Sequence, residues 1–133
     1  MSTTQPIRSK QLLHDFKEYF LTKQPNSRNY TLILIGLNTA LRINDILHLT
    51  WGDVYCTEHS RFYTHLLITE KKTEKETRIL INRELQETLL SYRKTQPSIA
   101  EKDYLFPSPR KADSPLSRYQ AYRIVRKAAE AVG

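Results

Sequence analysis

"GLNTALRINDILHLTWGDV", residues 36–54, places an arginine where a buried helix would otherwise continue. An apolar stretch from Tyr30 to Leu41 runs straight into Arg42, and a helical apolar pattern resumes at once through Ile43, Ile46 and Leu47. A guanidinium cannot shed its charge, and leaving it buried without a partner is strongly unfavourable. One reading is a surface arginine at a helix start, its stem lying along the core and its head in water. A second reading gives it work. Asp45 follows at i+3, within reach of a charge pair across one helical turn, and such a pair can steady the guanidinium fork while leaving donors for two oxygens of a phosphate.

Outward from this stretch the chain alternates between two periodicities. Ser9 is the expected N-cap of a first helix carrying Leu12, Leu13, Phe16, Tyr19 and Phe20 on one face. Pro25 and Asn26 end it, and a helix beginning near Ser27 has Tyr30, Ile33, Leu34, Leu37 and Leu41 on one side with Leu32 and Ile35 on the other. That is the pattern of a central, buried helix. A short helix over 43–49 stops before Trp51 and Gly52. From Asp53 to Ile81 the period shortens, and "RFYTHLLIT" and "TRILI" predict two antiparallel strands around the charged turn "EKKTEKE", with a short strand near Val54 and Tyr55 extending the sheet. Asn82 caps a helix bearing Leu85, Leu89 and Tyr92, which ends before Pro97. Residues 97–115 form a proline-rich loop interrupted by "YLFP". Ser117 opens a last helix with Ala121, Tyr122, Val125, Ala129 and Val132 on its inner side and Arg118, Arg123, Arg126 and Lys127 on the other. The expected fold is therefore mixed α+β, mainly helical, with about five helices and a small three-stranded antiparallel sheet.

The 133 residues suffice for one domain with one core. With 39% apolar and 26% charged residues, neither disorder nor low complexity is expected. The longest apolar run, Leu32 to Leu37, is far too short to span a membrane. Residues 1–9 lack the hydrophobicity of a signal peptide, and the lone Cys56 permits no internal disulfide, so the reducing cytoplasm is the expected compartment. Twenty-one Lys and Arg against fourteen Asp and Glu give a net charge of +7. That balance favours polyanions, nucleic acid foremost.

"TALRINDILHLTWGDV" resembles the first conserved box of the tyrosine recombinases, the phage integrase family, in the order and spacing of Leu41, Arg42, Asp45, Leu49, Trp51 and Asp53. The resemblance implies that Arg42 is the first catalytic arginine, a clamp on the scissile phosphate, with Asp45 as its supporting carboxylate. "ITEKKTEKETRILIN" is similar to the family's hairpin, whose lysine protonates the leaving 5′ oxygen. Lys72 is the match, with Lys71 and Lys75 as competing alignments, and Glu74 stands where the family often has glycine. "DYLFPS" and "PLSRYQAYRIVRKAAEAVG" also look like the family, so the resemblance runs from about Ser9 to Gly133.

The family's His-x-x-Arg box and tyrosine nucleophile find no counterpart here. None of His14, His48, His59 or His65 has an arginine three residues on, and Tyr119 and Tyr122 read as packing or DNA-facing residues. The expectation is a flexible segment over 1–8 and, over 9–133, a partial integrase catalytic domain, inactive alone. When intact it would bind duplex DNA, cleave and rejoin strands through a 3′-phosphotyrosyl intermediate, and assemble as a homo-multimer on DNA, with no membrane and no small-molecule substrate as partners. No metal or other cofactor is expected, because arginines take the place of divalent ions at the phosphate; Cys56 and His59 are an isolated pair. Lys71, Lys75, Arg78, Arg118 and Arg123, with Arg126 and Lys127, are candidates for tracking DNA phosphates, or alternatively solvated faces. The rival functional reading is a noncatalytic basic DNA-binding module that keeps the fold.

Overall fold

Six consecutive buried residues, Tyr30 to Ile35, make helix α2 (Ser27–Thr39) the centre of the molecule. A helix buried on every side needs cover on every side. The structure, a computed structural model, describes residues 10–20, 26–39, 41–69, 73–96, 99–111 and 113–132. Within them α2 is capped by Asn26, whose Oδ1 accepts from the Asn29 N–H at 2.9 Å. The buried Thr31 donates its hydroxyl to the Ser27 carbonyl at 2.6 Å. Helix α5 (Arg83–Lys94) lies along α2 and turns Leu85, Leu89 and Tyr92 inward. Asn82 caps α5 as expected, accepting from the Leu85 N–H at 2.9 Å.

Helix α1 (Lys10–Glu18) packs on the last helix, α6 (Arg118–Val132), and buries Phe16, with Phe20 buried just beyond its end. The expected cap Ser9 and the side chains of Leu12 and Leu13 lie outside the described residues. Ser117 opens α6 as expected, its Oγ accepting from the Gln120 N–H at 3.1 Å. The inner face of α6 differs from the expected one. Ala121 and Ala128 are buried and Ile124 and Val132 partly so, whereas Tyr122, Val125 and Ala129 are exposed. Side-chain size explains the rotation: small residues let the helix axis approach its neighbours closely, and two alanine methyls fit where Tyr122 would hold the helix away.

Helix α3 (Ile43–Leu47) ends sooner than expected, and a single helical turn, α4 (Trp51–Val54), follows it. The Asp53 carboxylate starts that turn by accepting from the Thr50 N–H at 2.9 Å and the Thr50 hydroxyl at 3.1 Å. Strands β1 (Tyr55–Cys56) and β2 (Arg61–Phe62) form one antiparallel ladder, and β3 (His65–Thr69) and β4 (Glu76–Leu80) form another, with Leu66 opposite Ile79 and Leu67 opposite Arg78. The mixed, mainly helical class agrees with the sequence, but its three-stranded sheet is replaced by these two ladders. The cause lies in the backbone of Tyr63 and Thr64. The Tyr63 N–H donates to Val54 and the Thr64 carbonyl accepts from Ile81, so the stretch from Arg61 to Thr69 is broken into two strands.

The loop after α5 is spliced onto the α3–α4 segment. Leu105 N–H donates to Leu49, Trp51 N–H to Asp103 and Gly52 N–H to Glu101, at 3.0, 2.9 and 2.8 Å. Leu105 and Phe106 are wholly buried, and the Tyr92 ring stacks on Phe106 and tilts against Trp51. Tyr92 donates its hydroxyl to the Leu105 carbonyl, and burial pushes this phenol up to about 12. Gly52 is required by close approach, because a Cβ there would stand 3.0 Å from the Glu101 carbonyl oxygen and 3.1 Å from its Cβ. Gly52→Ala is therefore expected to destabilise the fold by roughly 1–3 kcal/mol, read as a lowered urea midpoint at unchanged slope.

Candidate nucleic-acid interface

Arg42 sits at the N-cap of α3 with extended backbone, φ −69° and ψ 149°. The end of α2 is held by side chains folding back on the helix: Thr39 Oγ1 donates to the Ile35 carbonyl at 2.7 Å, and Asn38 Nδ2 to the Leu34 carbonyl at 3.0 Å. Beyond it Leu41 is half-buried and Arg42 exposed, while the Arg42 carbonyl accepts from the N–H groups of Asp45 and Ile46 at 3.0 and 3.1 Å. The backbone of Arg42 thus starts α3, and its side chain is left over.

The ion pairs among the described residues are His14–Glu18, His59–Glu58 and Arg83–Glu87, and none involves Arg42. The expected charge pair with Asp45 is not formed. Its premise was a full helical turn between the two residues, whereas Arg42 is extended and belongs to the helix only through its carbonyl, so its side chain does not stack over position 45. Asp45, half-buried, occupies the first turn of α3, where a carboxylate is favoured by the helix dipole.

The β3–β4 hairpin is tied to this corner at its base. Asn82, the residue after Ile81, donates from Nδ2 to Asn38 Oδ1 at 3.0 Å, four residues before Arg42. Lys75 and Arg78 are exposed, Arg78 on the outward face of β4 beside Leu67 and Leu80. Lys71 and Lys72 lie outside the described residues. Glu74 has φ 56°, in the left-handed region that favours glycine, which accounts for the glycine expected at this place in the turn.

Arg118 and Arg123 are exposed on α6, which packs against α3. Arg123 stands over the Tyr119 ring at 5.9 Å and lines a cavity with Arg28 of α2 and Lys127. Arg28 went unremarked in the sequence; the signal was a cation in the first turn of a helix with no acid beside it. Cys56 and His59 gain no third ligand, for the described residues hold no group of three or more His, Cys, Asp or Glu able to bind a metal. No described helix is long and apolar enough to cross a membrane.

What the corner offers chemically is a permanently charged fork, exposed at a helix junction and in no ion pair among the described residues, near a hairpin that carries Lys75 and Arg78, on a basic molecule. The chain belongs to the phage integrase family, which it matches over residues 5–133. It is 44% identical over 133 residues to the probable integrase/recombinase YoeC of Bacillus subtilis (strain 168), covering all of this chain and 67% of that protein. Its fold is that of the XerA recombinase, with a TM-score of 0.71 at 20% identity, and of lambda integrase residues 75–356 bound to DNA, with a TM-score of 0.64 at 16% identity. It covers 95% and 96% of itself in these two comparisons and spans 42% of each of those longer chains.

An exposed arginine in no ion pair among the described residues contributes little to stability. Arg42→Ala should leave the unfolding free energy, read from urea titration, within about 0.5 kcal/mol of the parent. A loss of more than about 2 kcal/mol would mean instead that the guanidinium is a structural group.

Proposed function

We propose that this chain is the front part of the catalytic domain of a tyrosine-type, site-specific DNA recombinase, and that Arg42 and Lys72 act on the scissile phosphate. The observation that carries this reading is the exposed Arg42 fork, held at the α2–α3 junction by its own backbone and in no ion pair among the described residues. In the intact enzyme a tyrosine oxygen attacks phosphorus and the bond to the 5′ oxygen breaks. Arg42 stabilises the negative charge that gathers on the nonbridging oxygens. Lys72 gives its proton to the leaving 5′ oxygen, and the product is a 3′-phosphotyrosyl ester. A strand end with a free 5′ hydroxyl then reverses these steps. Asp45 is read as a support for the corner through α3, and Lys71, Lys75, Arg78, Arg118 and Arg123 as phosphate contacts that position the duplex.

The tyrosine, the histidine and the second arginine are supplied from outside these 133 residues. The chain by itself is therefore expected to bind duplex DNA without cutting it, and the intact enzyme to work in the cytoplasm as a homo-multimer on DNA. The absence of any His-x-x-Arg within the chain favours, as a second reading, a noncatalytic DNA-binding module with the same fold. Reading frame beyond Gly133 that encodes His-x-x-Arg and a later tyrosine decides for the enzyme.

In a version of the protein carrying the downstream box, Arg42→Ala should lower strand cleavage by about 10²–10³-fold or more while duplex affinity falls little. Unchanged cleavage on a suicide substrate removes Arg42 from the site. Lys72→Ala should slow cleavage by about 10²-fold or more and Lys75→Ala far less. The opposite order assigns the proton to Lys75.

A further inference from the structure

At the other end of α2 from Arg42 lies a cavity of about 250 Å³ between α1, α2 and α6. Three cations line it, Arg28, Arg123 and Lys127, with Tyr19, Asn29 and Gln120 among the other walls, and no carboxylate lines it among the described residues. None of the three cations is in an ion pair among the described residues. Arg28 donates from Nε to Asn29 Oδ1 at 2.9 Å, which orients the fork and leaves its two terminal amino groups without a described protein acceptor.

Each of these placements works against the stability of the empty protein. Arg28 is the second residue of α2, where the helix dipole is positive, and no acid stands in that turn. Arg123 and Lys127 are i,i+4 neighbours of like charge on α6. The cavity then brings the two helices' charges to face one another. A bound anion reverses the sign of all three terms at once.

We propose that this cavity holds a backbone phosphate of the DNA, gripped by Arg28, Arg123 and Lys127, as a second hold on the duplex that Arg42 engages. The inference rests on the DNA-binding reading above. Its spacing follows from the fold: the 13 residues of α2 separate the two ends by roughly 20 Å, which is roughly six base pairs of duplex. Arg123 thereby acquires a specific partner set, and Arg28 and Lys127 join the interface.

The test is fluorescence anisotropy of the 133-residue chain with a labelled 30-base-pair duplex, titrated across KCl concentrations, for the parent, an Arg28→Gln/Lys127→Gln double variant and an Arg61→Gln control. The double variant should bind about fivefold or more weakly at low salt, with a logarithmic salt slope shallower by about one, and the control should match the parent. Amide spectra of the parent chain supply a second readout that needs no variant: the duplex should shift Arg28, Arg123 and Lys127. Parent-like affinity and slope in the double variant, or unmoved resonances at these three residues, overturn this site while leaving DNA binding intact. Absence of salt-dependent duplex binding by the parent overturns both. Inorganic phosphate or a mononucleotide shifting the three residues while the duplex leaves them unmoved assigns the cavity to a free phosphate ligand, and the DNA proposal falls.

Discussion

Three backbone hydrogen bonds, from Leu105 to Leu49, Trp51 to Asp103 and Gly52 to Glu101, join two segments about fifty residues apart in the chain, and the position of the candidate site depends on them. The α3–α4 segment is too short to hold itself, since isolated helices of one or two turns are not stable in water. Docked on the loop after α5, it gains both the backbone ladder and the aromatic contacts of Trp51 with Tyr92 and Tyr92 with Phe106. The corner bearing Arg42 is thereby a fixed point in the molecule, although the arginine side chain is exposed and in no ion pair among the described residues.

This division of labour accounts for the mixture of residue types in the first box. Leu49 and Trp51 are buried, Asp53 is a cap, Gly52 permits a close approach, and Arg42 is the one exposed residue of this set with neither a capping nor a packing role for its side chain. Four residues are spent on holding one in place. The arrangement suits electrostatic catalysis, in which a charge must be aimed before the reaction begins.

Much of the framework is legible in the sequence because its causes are local. All-round apolarity makes α2 the core helix, and Asn82 and Ser117 announce helix starts through side chains that bond three residues on. Arg42 at a surfacing helix junction is legible for the same reason. Non-local terms hide the rest. Whether β1 joins β3 depends on where Tyr63 and Thr64 find partners, and the inner face of α6 was decided by the room available rather than by hydrophobicity. The Arg42–Asp45 pair failed on one dihedral, the ψ of 149° that takes Arg42 out of the helix. Lys72, matched from its neighbours' pattern, lies outside the described residues. Arg28 escaped notice because its significance comes from charges on another helix.

Ala121 and Ala128, both wholly buried, have an effect beyond their own packing. They set how far α6 stands off the body of the protein, and Arg123 and Lys127 ride on that same helix. A bulkier side chain at either alanine would act as a shim, lifting the helix and widening the gap across which its cations confront Arg28. The bore of the cationic cavity is thus gauged by two methyl groups on the helix's hidden side, and relatives could retune it without altering a single charge.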